Sequence, residues 1–194
     1  RLALKSEVLL LKQSSVGWGV HGSGYRGSGG GTENETERMV ALPTPREVPM
    51  PRQAMSIVVR LPLGEVFAYM DDVSREPEWQ PQIIEAEQIP DGPTGVGTRR
   101  RYVSTFLRTR VENTYVVTVY EPNARLVVQT TRDAVLDATI DIRWESVPEG
   151  TRVTMAIEGQ PKGALRFVPA SILRSTFEEE VTTTLKRLKQ RLEP

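Results

Sequence analysis

The sequence predicts an α+β domain in which a curved antiparallel sheet wraps around one long C-terminal helix. Three observations support this fold class. Residues 57–61 have the alternating period of a half-buried strand, and Pro62 ends that strand where a short helix can begin. Several strand-like runs follow, separated by turn signals at residues 91–93, 121–123 and 148–150. The chain then closes with a long segment of helical period.

Four later segments show the two-residue apolar period of strands that pack one face against an interior. The predicted inward positions are Val111, Tyr115, Val117 and Val119, then Leu126 and Val128, then Ile140, Ile142 and Trp144, and finally Val153, Met155 and Ile157. The intervening positions are expected to face solvent. Among them, Asp137, Asp141 and Arg143 are interpreted as cross-strand charge pairs, not as a pair of catalytic carboxylates.

The closing helix carries an apolar stripe at steps of three and four residues. The stripe consists of Phe177, Val181, Leu185, Leu188 and Leu192. It predicts a helix that lies in the hollow of the sheet and contributes mainly packing. Glu178, Glu179 and Glu180 are expected early in this helix, where they would stabilise its N-terminal dipole. Pro169 is expected to kink or delay the helix.

The first 51 residues are predicted to be a low-complexity tail, and residues 52–194 the folded domain. Glycine is concentrated in residues 13–37 and proline in residues 43–51, so this region buries too little apolar surface to offset the entropy of ordering it. Residues 22–27 match the dinucleotide-binding pattern G-x-G-x-x-G. Neither the strand nor the helix that this pattern requires is predicted around it, so a solvated linker is preferred.

Composition excludes several classes of function. The 194 residues include 25 basic and 25 acidic side chains, so no global field favours nucleic acid, and no nucleic-acid partner is expected. Cysteine is absent and the one histidine, His21, lies in the predicted tail. Thiol or histidine catalysis is therefore not expected in the domain, and no metal or cofactor is predicted.

The longest early apolar run, residues 8–11, is far short of the ~20 residues that span a bilayer. No integral membrane association is therefore expected, and a cytoplasmic location is predicted.

Five short motifs follow one another across roughly residues 52–193. They are a loose PxxxVFAYxxD (Pro62 to Asp72), EWQP (Glu78 to Pro81), GVGTR (Gly95 to Arg99), YEP (Tyr120 to Pro122) and GTRVT (Gly150 to Thr154). This set resembles the SRPBCC superfamily, which includes START lipid carriers and birch-pollen-allergen-like proteins, and within it the polyketide cyclase/dehydrase-like branch. The resemblance implies a helix-grip fold, with two short helices after the first strand, and a hydrophobic cavity between sheet and closing helix. The occupant of that cavity is left open.

The candidate ligand-binding residues are those expected nearest the implied cavity. Tyr69 and Tyr115 carry hydroxyls that can orient a ligand oxygen, and Trp79 follows an acidic loop where its ring can form part of a wall. The full set is Tyr69, Trp79, Tyr115, Val117, Ile142, Trp144, Met155, Phe167, Ile172 and Leu173. By resemblance, the last three border the cavity mouth. Each residue also has an interpretation as ordinary packing, and whether Trp79 and Trp144 fill the cavity is left open.

The run Arg99, Arg100 and Arg101 lies on one predicted strand, so its first and third members share a face. A solvated strand surface with acidic partners is the favoured interpretation, because arginine is rarely buried without a partner. The alternative is an inward pair of guanidinium groups that would hold a ligand carboxylate or enolate.

Three functions are compatible with these observations. Binding or transport of a small hydrophobic molecule, such as a lipid, polyketide, isoprenoid or aromatic metabolite, is preferred because it needs nothing that the sequence lacks. The alternative is a cyclase or dehydratase without metal or cysteine, for which the sequence offers no convincing acid/base pair and no catalytic residue is assigned. The third is a stress or assembly factor that binds a partner protein. A homodimer is left open.

Overall fold

The computed structural model describes residues 50–134 and 136–193 of the chain. The predicted tail up to residue 49, the glycine-rich motif and His21 lie outside these residues. The first described strand begins at Met50, two residues before the predicted domain boundary.

Seven strands and three α-helices follow one another in the described residues. They are β1 (Met50–Val59), α1 (Leu63–Asp71), α2 (Glu76–Trp79), β2 (Ile83–Ile89), β3 (Arg99–Phe106), β4 (Thr109–Glu121), β5 (Arg125–Thr130), β6 (Leu136–Val147), β7 (Gly150–Pro161) and α3 (Ala170–Leu192). Short 3₁₀ turns at Val73–Arg75 and Gly163–Phe167 precede α2 and α3. The strands form one antiparallel sheet in the order β1-β7-β6-β5-β4-β3-β2. This architecture confirms the predicted α+β helix-grip fold.

The sheet is a meander whose last strand returns to the first. From β2 onward, each strand pairs with the next one along the chain, and β7 then pairs with β1. The turn into β7 depends on Gly150, which has a φ of 136°. A Cβ atom at this position would lie 2.2 Å from the carbonyl oxygen of Val59, so only glycine lets the turn pass against the end of β1.

A β-bulge in β4 changes which side chains face the interior. Val117 lies opposite Val128, but Val119 lies opposite Val127, so one residue of β4 is extra. Tyr120 then packs against the main core instead of Val119. The predicted inward position of Val119 is therefore wrong, because a strict two-residue period does not reveal an inserted residue.

Two hydrophobic clusters form the interior. The larger one joins the inner sheet face to α1 and the C-terminal part of α3, and it includes the predicted stripe residues Val181, Leu185 and Leu188. The smaller cluster contains Leu136, Ala138, Leu173 and Phe177. The closing helix therefore lies in the hollow of the sheet, as the apolar stripe predicted.

Helix α3 begins at Ala170, directly after Pro169, and has 23 residues. Glu178, Glu179 and Glu180 therefore lie more than two turns from its N-terminus. Because the dipole effect is confined to the first turn, the predicted electrostatic role of these three glutamates is wrong.

On the outer sheet face, Asp141 binds arginines from three strands. Its carboxylate oxygens lie 2.9 Å from Arg52 Nη2, 3.0 Å from Arg125 Nε and 3.3 Å from Arg143 Nη2. Lys162 forms an ion pair with Asp137. The outer face thus carries charge pairs, as predicted.

Candidate functional site

A cavity of about 120 Å³ lies between the inner face of the sheet and helix α3. One water molecule needs only ~10–15 Å³ of such space, so the cavity is far larger than a site for a single water molecule. Its apolar wall is formed mainly by Leu126, Val128, Ile140, Ile142, Met155, Ile157, Phe177 and Val181. These side chains come from β5, β6 and β7, whose inward alternation the sequence predicted, and from the predicted apolar stripe of α3.

Four of the ten predicted ligand-binding residues line this cavity. They are Trp79, Tyr115, Ile142 and Met155. Val117 and Trp144 are buried in the main core and do not line the cavity. The indole N–H of Trp144 points to the sulfur of Met70, at 3.2 Å. Trp79 is therefore part of the wall, and neither tryptophan fills the space.

Tyr69 also lies away from the cavity lining. Its hydroxyl donates a hydrogen bond to Glu78 Oε2 at 3.0 Å, in an exposed position. Arg75 lies over its ring, 5.1 Å from the centroid. The hydrogen bond between Tyr69 and Glu78 therefore links α1 to α2.

The structure does not bring the three residues expected at the cavity mouth to the cavity. Phe167 is 78% exposed and Ile172 is 39% exposed, whereas Leu173 is 1% exposed and packs in the smaller cluster. The reason is the start of α3 at Ala170. Phe167 remains on the preceding 3₁₀ turn, and successive helical positions point about 100° apart, so Leu173 and Ile172 take different faces.

A cluster of charged and hydroxyl groups borders the cavity, and three of its members, Glu76, Arg100 and Tyr102, form the polar side of the cavity wall. Arg100, in β3, is 2% exposed and its Nη1 lies 3.2 Å from Glu76 Oε1. Its Nη2 lies 2.9 Å from Asp71 Oδ1. Tyr102 donates a hydrogen bond to Glu76 Oε1 at 2.9 Å, and Tyr120 donates one to Asp71 Oδ2 at 2.7 Å. The cluster ties α1 and α2 to β3 and β4.

One arginine of the run faces inward, in place of the inward pair considered from the sequence. Arg100 lines the cavity, while Arg99 is exposed. Arg101 contacts the exposed carboxylates of Glu87 and Glu112, at 3.3 and 2.7 Å. The solvated interpretation therefore holds for one face, and Arg100 on the other face is buried with acidic partners from α1 and α2.

Burial changes the acidity of the cluster. It raises the pKa of Glu76 from 4.5 to about 7, although Arg100 and the hydrogen bond from Tyr102 act in the opposite direction. Burial and the charge of Glu76 raise the pKa of Tyr102 well above 10. Near neutral pH, Glu76 is therefore present in both its protonated and its ionised form.

A second carboxyl group, that of Glu180, enters the cavity wall from α3. Burial, and then the charge of Glu179, raise the pKa of Glu180 to about 7. Across the described residues, neither an ion pair nor a hydrogen bond involves its carboxylate. Tyr115 lines the same cavity, and burial, followed by the charges of Glu180 and Glu76, raises the pKa of its hydroxyl to about 12.

Sequence reasoning missed Glu76, Arg100, Tyr102 and Glu180 as cavity residues. A partial signal existed for three of them. Arg100 and Tyr102 are two residues apart and share one strand face. Glu180 is adjacent to the stripe residue Val181, which places it at the border of the buried helix face. Nothing in the pattern showed that the α1–α2 region would bring Glu76 onto Arg100.

Two further observations concern other classes of site. Within residues 50–134 and 136–193, no group of three or more His, Cys, Asp or Glu side chains is arranged to hold a metal ion. None of the helices in these ranges is both long and apolar enough to cross a membrane.

The fold and the cavity define a helix-grip domain with an internal, partly polar binding site. Residues 50–193 match the family described as polyketide cyclase / dehydrase and lipid transport. The chain therefore belongs to this family, and its predicted membership of the polyketide cyclase-like branch of the SRPBCC superfamily is confirmed.

Solved structures with the same fold come from several bacteria. The protein TTHA0849 from Thermus thermophilus has 16% identity and a TM-score of 0.63, over 73% of this chain and 97% of that one. A START superfamily protein from Mycobacterium smegmatis has 14% identity and a TM-score of 0.62, over 73% and 97%. The Zhui aromatase/cyclase from Streptomyces sp. R1128 has 13% identity and a TM-score of 0.62, over 74% and 93%. These likenesses show the fold alone. A comparison with curated proteins found no match.

Proposed function

We propose that the protein binds a small hydrophobic molecule in the cavity between the sheet and α3. The observation that carries this proposal is the apolar wall of a cavity of about 120 Å³. Moving an apolar ligand from water to such a wall is favourable by roughly 25 cal/mol per Å² of surface buried. The ligand would be a lipid, polyketide, isoprenoid or aromatic metabolite, which agrees with the lipid transport named in the description of the family.

The residues proposed to contact this ligand come from both sides of the cavity. Trp79, Tyr115, Ile142 and Met155 would contact its apolar body, since all four line the space. The polar side, with Glu76 and Tyr102 among others, would face any oxygen or nitrogen of the ligand. Apolar walls with a few polar groups are the usual composition of small-molecule sites.

A second candidate function is catalysis of the cyclase or dehydratase type. The observation that favours it is the presence of two cavity carboxyl groups, Glu76 and Glu180, each with a pKa of about 7. Such groups can donate and accept protons at neutral pH, as general acid–base catalysis requires. If the protein turns over a polyketide-like substrate, Glu76→Gln and Glu180→Gln should lower kcat while a neutral ligand still binds.

The binding proposal is tested by titrating the full chain with the neutral hydrophobic probe N-phenyl-1-naphthylamine and following its fluorescence. The wild type should bind saturably with one probe per chain. Ile140→Phe, which places a larger side chain in the cavity wall, should weaken binding roughly tenfold, since lost space removes favourable contacts. Phe167→Ala is the matched control, because Phe167 is exposed and does not line the cavity.

The outcomes separate the proposals. Equal weakening by Ile140→Phe and Phe167→Ala would place the probe outside the cavity and contradict the binding site. Absence of probe binding, together with absence of any co-purified small molecule in native mass spectrometry, would contradict the binding function itself. Val128→Phe serves as a second wall variant if Ile140→Phe lowers the thermal unfolding temperature below the assay range.

A further inference from the structure

The cavity wall contains more acidic than basic side chains, and they differ in whether they already have an ion-pair partner. The charged side chains in its wall are Glu76, Arg100 and Glu180. The guanidinium of Arg100 already contacts Glu76 at 3.2 Å, Asp71 at 2.9 Å and Thr94 Oγ1 at 2.9 Å. One positive charge is therefore shared between two carboxyl groups. Among the described residues of the wall, Arg100 is the one cation; both of its terminal nitrogens contact protein groups, whereas its buried Nε has no hydrogen-bond partner.

Within the described part of the chain, Glu180 is the charged group of the wall that lacks an ion-pair partner. It lies on α3 between Phe177 and Val181, which are both buried and both line the cavity. The groups that act on it electrostatically are its neighbour Glu179 and the hydroxyl of Tyr115, and neither carries a positive charge. A partly desolvated carboxylate without a counter-ion is costly, and a ligand that brings a cation offsets this cost.

An anionic ligand would be repelled by the carboxylates that would attract a cationic one. Its charge would lie near the carboxylates of Glu180 and Glu76. The one guanidinium in the described wall already pairs both terminal nitrogens with protein carboxylates, and only its Nε lacks a partner. Like charges in a partly buried site repel one another more strongly than in water. A free carboxylic acid is thus disfavoured by the same side chains that would favour an amine.

We propose that the cavity selects hydrophobic amines: the apolar body of the ligand contacts the sheet, and its protonated amino group pairs with the carboxylate of Glu180. This inference rests on the proposed binding function and narrows the class of ligand. An alkylammonium ion has a pKa near that of lysine, about 10.4, so it remains charged at pH values where Glu180 is ionised. A charge-assisted hydrogen bond between the two is stronger than one from a neutral alcohol.

The test compares three ligands of equal chain length, decylamine, decanol and decanoate, each below its aggregation concentration. They compete with N-phenyl-1-naphthylamine for the full chain at about pH 8, where Glu180 is mostly ionised. The amine should bind roughly tenfold more tightly than the alcohol, and the alcohol more tightly than the acid. Glu180→Gln should remove the preference for the amine and leave the affinity for decanol within about twofold of the wild type.

Glu179→Gln is the matched control, because it removes one negative charge from the same helix at an exposed position outside the cavity wall. It should keep the preference for the amine. The inference is overturned if decanoate binds as tightly as decylamine or more tightly, or if Glu180→Gln still prefers decylamine. In either case, binding of decanol still supports the proposed function. Failure of all three ligands and of the probe to bind overturns the proposed function as well.

Discussion

Replacement of Glu76 by glutamine removes the buried ionisable group at the centre of the polar cluster. Glu76 is 3% exposed, and its carboxylate accepts hydrogen bonds from Arg100 at 3.2 Å, Tyr102 at 2.9 Å and Gln80 at 2.6 Å. Glutamine has nearly the same shape but stays neutral at every pH. The substitution therefore separates the effect of ionisation from the effect of packing.

The sign of the expected effect follows from the raised pKa. Burial raises the pKa of Glu76 from 4.5 to about 7, so the folded state holds this proton more tightly than the unfolded state. The resulting stabilisation is fully present below the unfolded pKa and is lost as the pH rises through about 7. The rise of this pKa from 4.5 to about 7 corresponds to about 3 kcal/mol of unfolding free energy. The glutamine variant lacks this pH-dependent stabilisation.

The difference in unfolding free energy between Glu76→Gln and the wild type should thus shift by about 3 kcal/mol in favour of glutamine between about pH 4.5 and pH 8. Urea unfolding of the full chains, followed by tryptophan fluorescence at several pH values, measures this difference. Glu65→Gln, on the exposed face of α1, is the control and should show no such change. Parallel pH profiles for Glu76→Gln and the wild type would refute the assignment of a raised pKa to Glu76.

Two further predictions concern stability. Leu173→Ala should lower the unfolding free energy by about 2–5 kcal/mol because Leu173 is buried, whereas Phe167→Ala should change it by less than about 0.5 kcal/mol because Phe167 is exposed. Urea titrations test both, and a larger effect at Phe167 would contradict the start of α3. Gly150→Ala should destabilise by more than ~1 kcal/mol, because its Cβ would meet the Val59 carbonyl at 2.2 Å. Gly64→Ala, within α1 and with no atom near the new methyl group, should be neutral or stabilising by up to ~1 kcal/mol, and equal melting temperatures of the two variants would contradict this account.

Much of the architecture could be predicted from the sequence because it depends on local periodicity. The two-residue period placed Leu126, Val128 and Ile142 on the inner face, where they line the cavity. The helical period placed Val181 and Leu185 in the core. These predictions succeed because residues that repeat with the period of a strand or helix lie on one face of it, and an apolar face is buried.

The polar half of the site could not be predicted in this way. Glu76 and Arg100 are 24 residues apart and meet at 3.2 Å only because the tertiary packing brings α2 close to Arg100 near the start of β3. Tyr120 faces inward only because a bulge inserts one residue into β4. Such contacts depend on packing between elements and on backbone irregularities, which leave no periodic trace in the sequence.

The sequence by itself determined the fold class, the family and most of the strand residues that face the interior, because each of these follows from local pattern and short motifs. The tertiary structure decided which charged groups reach that cavity. Glu180 illustrates the difference: within its helix it is one of three consecutive glutamates, and the packing of α3 against the sheet brings it, and not Glu178 or Glu179, into the cavity wall. Burial then changes its acidity and leaves it without a counter-ion among the described residues, and these two properties arise from the assembled protein alone.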